Sequence, residues 1–123
     1  MTLHSPIAYA RRETPARSLR SIEYDLIAQV TQRLRAAWNS RHDDFPNLVR
    51  ALTDNQKLWS TLASDVALPE NGLPQALRAR LFYLYEFTVN HSRAVLDNGA
   101  SVEVLTEINT AVMRGLRGDR GPG

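Results

Sequence analysis

The chain has 123 residues, enough for one compact domain, and it contains no cysteine. The absence of cysteine excludes disulfides, thiolate nucleophiles and cysteine-based zinc sites, and it is typical of proteins in a reducing cytoplasm. The longest near-apolar run, residues 81–89, contains a glutamate and is much shorter than the ~20 residues that cross a bilayer. We therefore expect a soluble cytoplasmic protein with no membrane association.

The net charge is only +2, although fourteen of the fifteen basic residues are arginine. Arginine is favoured for contacts with phosphate, so nucleic-acid binding has to be considered. The arginines are scattered, however, and thirteen acidic residues are interleaved with them. We interpret the excess as compositional bias and do not expect direct RNA binding. The alternative is a basic surface formed at the two ends of the chain by Arg11, Arg12, Arg17, Arg20, Arg114, Arg117 and Arg120.

The pattern of the first forty residues predicts a long amphipathic helix. Thr14 is a good N-cap, and Pro15 suits the first helical position because its missing N–H group needs no partner there. Apolar residues then recur at steps of three and four, as one face of a helix requires. This helix is expected to span roughly 24 residues and to end near Trp38, with residues 1–13 forming a mobile N-terminal arm.

A second helix is expected after Asp43 and Asp44, which can cap it, and Pro46 fits its first turn. Its apolar residues follow a heptad pattern, and Asn55 occupies a seam position of that pattern. A polar residue on a packing seam is a known means of fixing helix register or partner number. The alternative is a helix break near Thr53 and Asp54. The apolar seam residues are Phe45, Leu48, Leu52, Trp59, Leu62 and Val66.

Residues 68–74 predict a turn, because Pro69 cannot continue a helix and Asn71-Gly72 suits positive φ. Pro74 is then expected at the first position of a third helix, which ends at a Gly99 C-cap. This helix has two apolar stripes and is therefore expected to lie centrally, between two neighbours. Ser101 is expected to cap a last helix, followed by a flexible tail at 118–123.

The predicted fold is all-α: a compact bundle of about four amphipathic helices, with residues 14–117 forming a single domain. No catalytic motif or phosphate-binding loop is present, and an enzyme, a cofactor or a metal site is not expected. His91 is the one histidine on a predicted helix, and we interpret it as a partly buried structural residue. Asp43 and Asp44 are interpreted as a helix cap rather than as metal ligands.

Four aromatic residues are candidates for contact with a partner protein: Trp59, Tyr83, Tyr85 and Phe87. Aromatic residues are frequent anchors of protein interfaces, and an amphipathic helix in a groove would be the mode of recognition. The alternative is that they fill the protein's own core. For Trp59, which lies on the seam, the core is the preferred interpretation.

The chain resembles the FlaF family of flagellar biosynthesis regulators over residues 7–116. Three blocks carry the resemblance, residues 22–31, 54–81 and 105–116, and the short AYA at 8–10 also fits. The most specific part is an N-x-x-L-W…D…P-x-N-x-L-P pattern. Its residues are Asn55, Leu58, Trp59, Asp65, Pro69, Asn71, Leu73 and Pro74.

The resemblance implies a helical regulator that promotes flagellin production and has no catalytic residues. It implies binding of flagellin as a chaperone-like adaptor before export, since the terminal segments of flagellin are amphipathic helices that stay unpaired until polymerisation. The alternative is post-transcriptional control of flagellin mRNA translation, directly or through the regulator FlbT. A monomer or a weak homodimer is expected, the homodimer pairing two copies across the Asn55 seam.

Overall fold

A computed structural model of the protein describes the backbone of residues 15–117 and the side-chain surroundings of residues 24–115. This part of the chain consists of four helices and has no strand. The all-α prediction is thereby confirmed. The predicted arm at 1–13, the cap Thr14 and the tail at 118–123 lie outside the described residues. The helices are α1 (Pro15–Asn39), α2 (Phe45–Ala67), α3 (Gln75–Asn98) and α4 (Glu103–Arg117).

The helix ends follow the capping residues. Asp44 caps α2, with its Oδ1 accepting a hydrogen bond from the backbone N–H of Asn47 at 3.2 Å. Gly99 ends α3 with φ +73°, the left-handed conformation that glycine adopts without a steric penalty. The Oγ of Ser101 accepts from the N–H of Glu103 at 3.0 Å, at the start of α4. These three predicted caps are confirmed.

The predicted second helix is confirmed as continuous: α2 passes through Thr53 and Asp54, and the alternative break does not occur. One detail of the predicted helices is wrong. Pro74 occupies the N-cap of α3, with φ −56° and ψ 146°, rather than the first helical position. The shift is one residue, and it leaves the missing N–H of the proline equally harmless, because the amides at a helix start have no carbonyl partner within the helix.

The helices are not arranged around α3, as its two apolar stripes had predicted. α1 packs against both α2 and α4, and α2 packs against α3. The backbone of α3 makes only a slight contact with α4 and, among the described residues, none with α1. The order across the bundle is therefore α4, α1, α2, α3. α1 and α2 are the central pair, and α3 is an edge helix.

Most of the core lies where α1, α2 and the start of α4 meet. One cluster of buried apolar residues draws on all four helices, and a smaller one joins α1 to α2. Phe45 does not join either cluster. It is 49% exposed, because it is the first residue of α2 and its predicted seam position lies beyond the end of the packed region. The first cluster is Leu34, Ala37, Leu48, Ala51, Leu52, Val95, Val102 and Leu105; the second is Ile27, Val30 and Leu58.

Candidate functional site

A cluster of buried polar side chains lies in the middle of the bundle: Thr31 from α1, Asn55 and Trp59 from α2, and Asn109 from α4. The Nε1–H of Trp59 donates to Asn109 Oδ1 at 2.9 Å. Asn109 Nδ2 donates to Asn55 Oδ1 at 2.8 Å and to Thr31 Oγ1 at 3.1 Å. One side chain of α4 thus links three residues on two other helices. We call these four residues the buried polar cluster.

The donor and acceptor roles in this cluster are fixed by chemistry. Trp59 can only donate, so the oxygen of Asn109 must face it and its amide nitrogen must face Thr31 and Asn55. The hydroxyl of Thr31 donates to the carbonyl of Ile27 at 2.6 Å, which leaves its oxygen free to accept. Asn55 Nδ2 is the exception, a buried donor without a partner among the described residues. Such a group costs about 1–3 kcal/mol, so the cluster fixes packing at some expense.

This arrangement decides the roles of two predicted site residues. Asn55 is fully buried and pairs with Asn109 of its own chain, so it does not reach a second copy. The proposed homodimer across the Asn55 seam is therefore not retained. Trp59 is also fully buried, as its seam position had indicated, and it has no surface to offer a partner. We remove it from the candidate partner-binding residues.

The remaining motif residues have structural positions. Leu58 belongs to the smaller apolar cluster. Asn71 closes the α2–α3 turn: its Nδ2 donates to the backbone oxygen of Asp65 at 3.2 Å and to Asp65 Oδ2 at 3.3 Å. Its Oδ1 accepts from the N–H of Leu73 at 3.0 Å. Pro69 lies exposed in the same turn. The second half of the motif, from Asp65 to Pro74, therefore forms the turn that places α3 against α2.

The first half of α3 is apolar and incompletely covered. No residue between 75 and 87 is fully buried, and the first buried residue of the helix is Thr88. One of its two apolar stripes is buried only at Thr88 and Val95, whereas the earlier members of that stripe, Leu77, Leu81 and Leu84, are half-buried or exposed. We call residues 75–87 the uncovered half of α3. Its large apolar side chains are Leu77, Leu81, Phe82, Tyr83, Leu84, Tyr85 and Phe87.

The three aromatic candidates on α3 all lie in this uncovered half. Tyr83 is 63% exposed, the most exposed of the large apolar side chains, and it projects away from the bundle. Tyr85 is half-buried and meets the ring of Phe82 edge-on, with 5.8 Å between the centroids. Phe87 is half-buried and stacks on His91 at 5.5 Å. The structure therefore groups these residues on one helix, with different degrees of exposure.

His91 ties the far end of α3 to the connection that follows it. Its ring is half-buried, and its Nε2 lies 2.7 Å from the backbone oxygen of Ser101. This is the structural role that the sequence predicted. Among the residues that the structure describes, no three histidine, aspartate or glutamate side chains gather as metal ligands would. In the same part of the chain, no helix combines the length and the hydropathy needed to span a bilayer.

Asn109 and Thr31 were missed by the sequence analysis, although a signal for Asn109 was present. It stands four residues after Leu105 and three before Val112, which is the spacing of the buried stripe of α4. A search for apolar periodicity passes over a polar residue at such a position. Thr31 likewise follows the buried Ile27 by four residues.

A family model described as "Flagellar protein FlaF" matches residues 5–116, which is nearly the whole chain. No curated protein and no solved structure matches the chain significantly.

Proposed function

Because the chain belongs to the FlaF family of flagellar proteins, we propose that it promotes flagellin production by binding flagellin in the cytoplasm as a chaperone-like adaptor before export. The binding surface is the uncovered half of α3. The partner segment is an amphipathic helix from one of the termini of flagellin. The proposal includes no catalytic activity.

The observation that carries the proposal is the exposure of large apolar side chains over about two turns of α3. Leu77, Phe82 and Tyr83 are all at least 40% exposed, and they lie within seven residues of one helix, on different sides of it. Single exposed apolar residues are ordinary on a protein surface, but three large ones within seven residues of one helix are more than scattered exposure and support an interaction site there. Two tyrosines and two phenylalanines within six residues also supply the side chains that anchor interfaces most often.

The position of α3 in the bundle suits the capture of a helix. An edge helix that packs mainly on α2, and meets α4 only slightly, leaves the outer sides of its first half open, so an incoming helix can lie beside it without disturbing the core. The partner would bury its apolar stripe, which in an unpolymerised flagellin terminus has nothing to pack against. Burial of apolar surface on both sides supplies the driving force.

A matched pair of variants tests this surface. Leu77 on α3 is 40% exposed and Leu26 on α1 is 43% exposed, and α1 makes no backbone contact with α3 in the described part of the chain. Leu77→Glu is expected to weaken binding of monomeric flagellin by about tenfold or more, since it places a charge in the interface. Leu26→Glu is expected to leave the affinity unchanged. Calorimetric titration measures both, and circular dichroism checks that each variant is folded.

Two results would overturn parts of the proposal. Equal affinity of the two folded variants would exclude the uncovered half of α3 as the binding surface. No binding of the unmodified protein to flagellin at tens of micromolar would exclude the adaptor role. In that case the alternative is control of flagellin mRNA translation, tested by titrating FlbT and the flagellin message against the protein.

A further inference from the structure

A shallow groove runs between α2 and α3, beside the uncovered half of α3. Its volume is about 250 Å³, and it is open to solvent. α2 supplies four of the lining residues and α3 supplies one aromatic ring, so one wall is polar and the other is continuous with the apolar surface already described. The lining residues are Thr53, Gln56, Lys57, Ser60 and Tyr85.

The polar side chains of this groove form no hydrogen bond within the described residues, which distinguishes them from their neighbours. The hydroxyl of Thr61, one residue outside the groove, bonds to the carbonyl of Lys57 at 3.0 Å. Hydroxyls at other helical positions, such as Thr106 and Thr110, bond to carbonyls of their own helix in the same way. The hydroxyls of Thr53 and Ser60 form no such bond and remain available to a ligand.

Lys57 supplies the charge of the groove. It is the only lysine of the chain, and it is exposed. Asp54 lies three residues before it on α2, yet no carboxylate in the described part of the chain forms an ion pair with its ammonium group. A lysine ammonium is a compact charge on a flexible stem, with three donors that can turn toward an incoming carboxylate.

We propose that this groove receives the polar edge of the helix that binds to α3, and that this edge carries carboxylates. The partner is then an amphipathic helix with glutamate or aspartate beside its apolar stripe, placed so that one carboxylate meets Lys57. This inference rests on the proposed function for the identity of the natural partner. Apolar contacts with α3 supply most of the affinity, and the contact with Lys57 selects the acidic flank and fixes which way round the partner lies.

Two synthetic peptides test the chemistry without flagellin. Both have about 20 residues, enough for a helix to form on binding, and the same leucine stripe. One has glutamate at the positions that flank the stripe, and the other has lysine there. The unmodified protein is expected to bind the glutamate peptide about tenfold more tightly at low salt, with the difference falling as salt is raised.

Charge reversal at Lys57 provides the decisive comparison. Lys57→Glu is expected to reverse the preference, so that the lysine peptide binds more tightly. The control is Arg35→Glu, which makes the same charge change at an exposed position on α1 and should leave the preference unchanged. Fluorescence anisotropy of labelled peptides measures all six affinities.

The outcomes separate this inference from the proposed function. If Lys57→Glu and Arg35→Glu shift the preference equally, the acidic flank is read by net charge alone and the groove assignment is wrong. If both peptides bind the unmodified protein equally, the assignment is also wrong, while flagellin binding to α3 can still hold. If the glutamate peptide binds as expected but flagellin does not, the groove is a site for acidic helices and the flagellin proposal fails.

Discussion

Asn109 makes three hydrogen bonds with its one side chain, and each goes to a different residue of another helix. A buried amide is expensive to leave unpaired, so its partners must sit at fixed places for the bundle to close. Within the residues that the structure describes, the backbones of α2 and α4 do not come into contact, and the amide of Asn109 bridges the space between them. At the scale of single residues, this side chain therefore sets how α4 lies against the α1–α2 pair.

Replacing Asn109 is expected to destabilise the protein strongly. Asn109→Ala removes the partners of the Trp59 indole N–H and of Asn55 Oδ1, and the cost is expected to be about 3 kcal/mol. The control is Thr110→Ala, at the next position, whose half-buried hydroxyl bonds only to Thr106 of its own helix. It should cost less than about 1 kcal/mol. Urea unfolding followed by circular dichroism measures both, and equal costs would contradict the role given to Asn109.

At the scale of the helix, contacts at the two ends of α3 help to fix its position in the bundle. α3 begins after a turn held by Asn71 and ends at Gly99. The Nη1 of Arg78 donates to the carbonyl of Val66, in the last turn of α2, at 3.4 Å and to that of its C-cap residue Leu68 at 3.3 Å. These contacts satisfy carbonyls that the helix itself leaves unpaired. The edge position of α3 thus depends on local contacts at its start as well as on the side chains it buries.

Two glycines offer a test at this scale, because an added methyl group meets no atom within 4 Å at either site. Gly99 has φ +73°, so Gly99→Ala is expected to cost about 1 kcal/mol of stability. Gly115 lies inside α4, where alanine is the better helix former, so Gly115→Ala is expected to add about 0.5 kcal/mol. Thermal unfolding of the two variants gives the signs. Two shifts of the same sign would contradict the backbone argument.

Considered as a whole molecule, the bundle shows which features the sequence could predict. Helix number, caps and turns depend on neighbours along the chain, and periodicity and capping residues predicted them to within a residue or two. The neighbours of α3 depend on the rest of the fold. Two apolar stripes are typical of a central helix with two neighbours in its own chain. They are equally typical of an edge helix that packs on its own chain with one stripe and binds another protein with the other. Sequence alone does not separate these cases, because both bury the same residue types.

The candidate site was predicted in the same uneven way. Tyr83, Tyr85 and Phe87 do lie on one incompletely covered helix, whereas Trp59 belongs to the core because its indole N–H has a buried acceptor in Asn109. That acceptor comes from a position fifty residues further along the chain. The seam position of Trp59 indicated its burial, but a polar partner at such a distance leaves no local pattern that would identify the acceptor.

The layered order of the helices predicts uneven local stability. The uncovered half of α3 contains no fully buried residue, so opening it exposes less new apolar surface than opening the middle of α2 does. Amides of residues 77–84 are expected to exchange their hydrogens at least about tenfold faster than those of residues 55–63, after correction for intrinsic rates. Hydrogen exchange read by mass spectrometry or NMR checks this. Equal protection in the two segments would show that α3 is held as firmly as the core.

Because the groove contains the only lysine of the chain, an amine-directed label can be attached to the protein at a single side chain. Amine-directed labels that spare arginine have one side chain to modify, Lys57, besides an amino terminus. An acyl label attached there would carry a dye beside Tyr85 without any engineered substitution. Acylation also converts the ammonium group of Lys57 into a neutral amide. A dye attached there would therefore report on the groove only after the positive charge of Lys57 had been removed. A small uncharged acetyl group and a bulky dye, compared on the same atom, would separate the effect of charge from that of size.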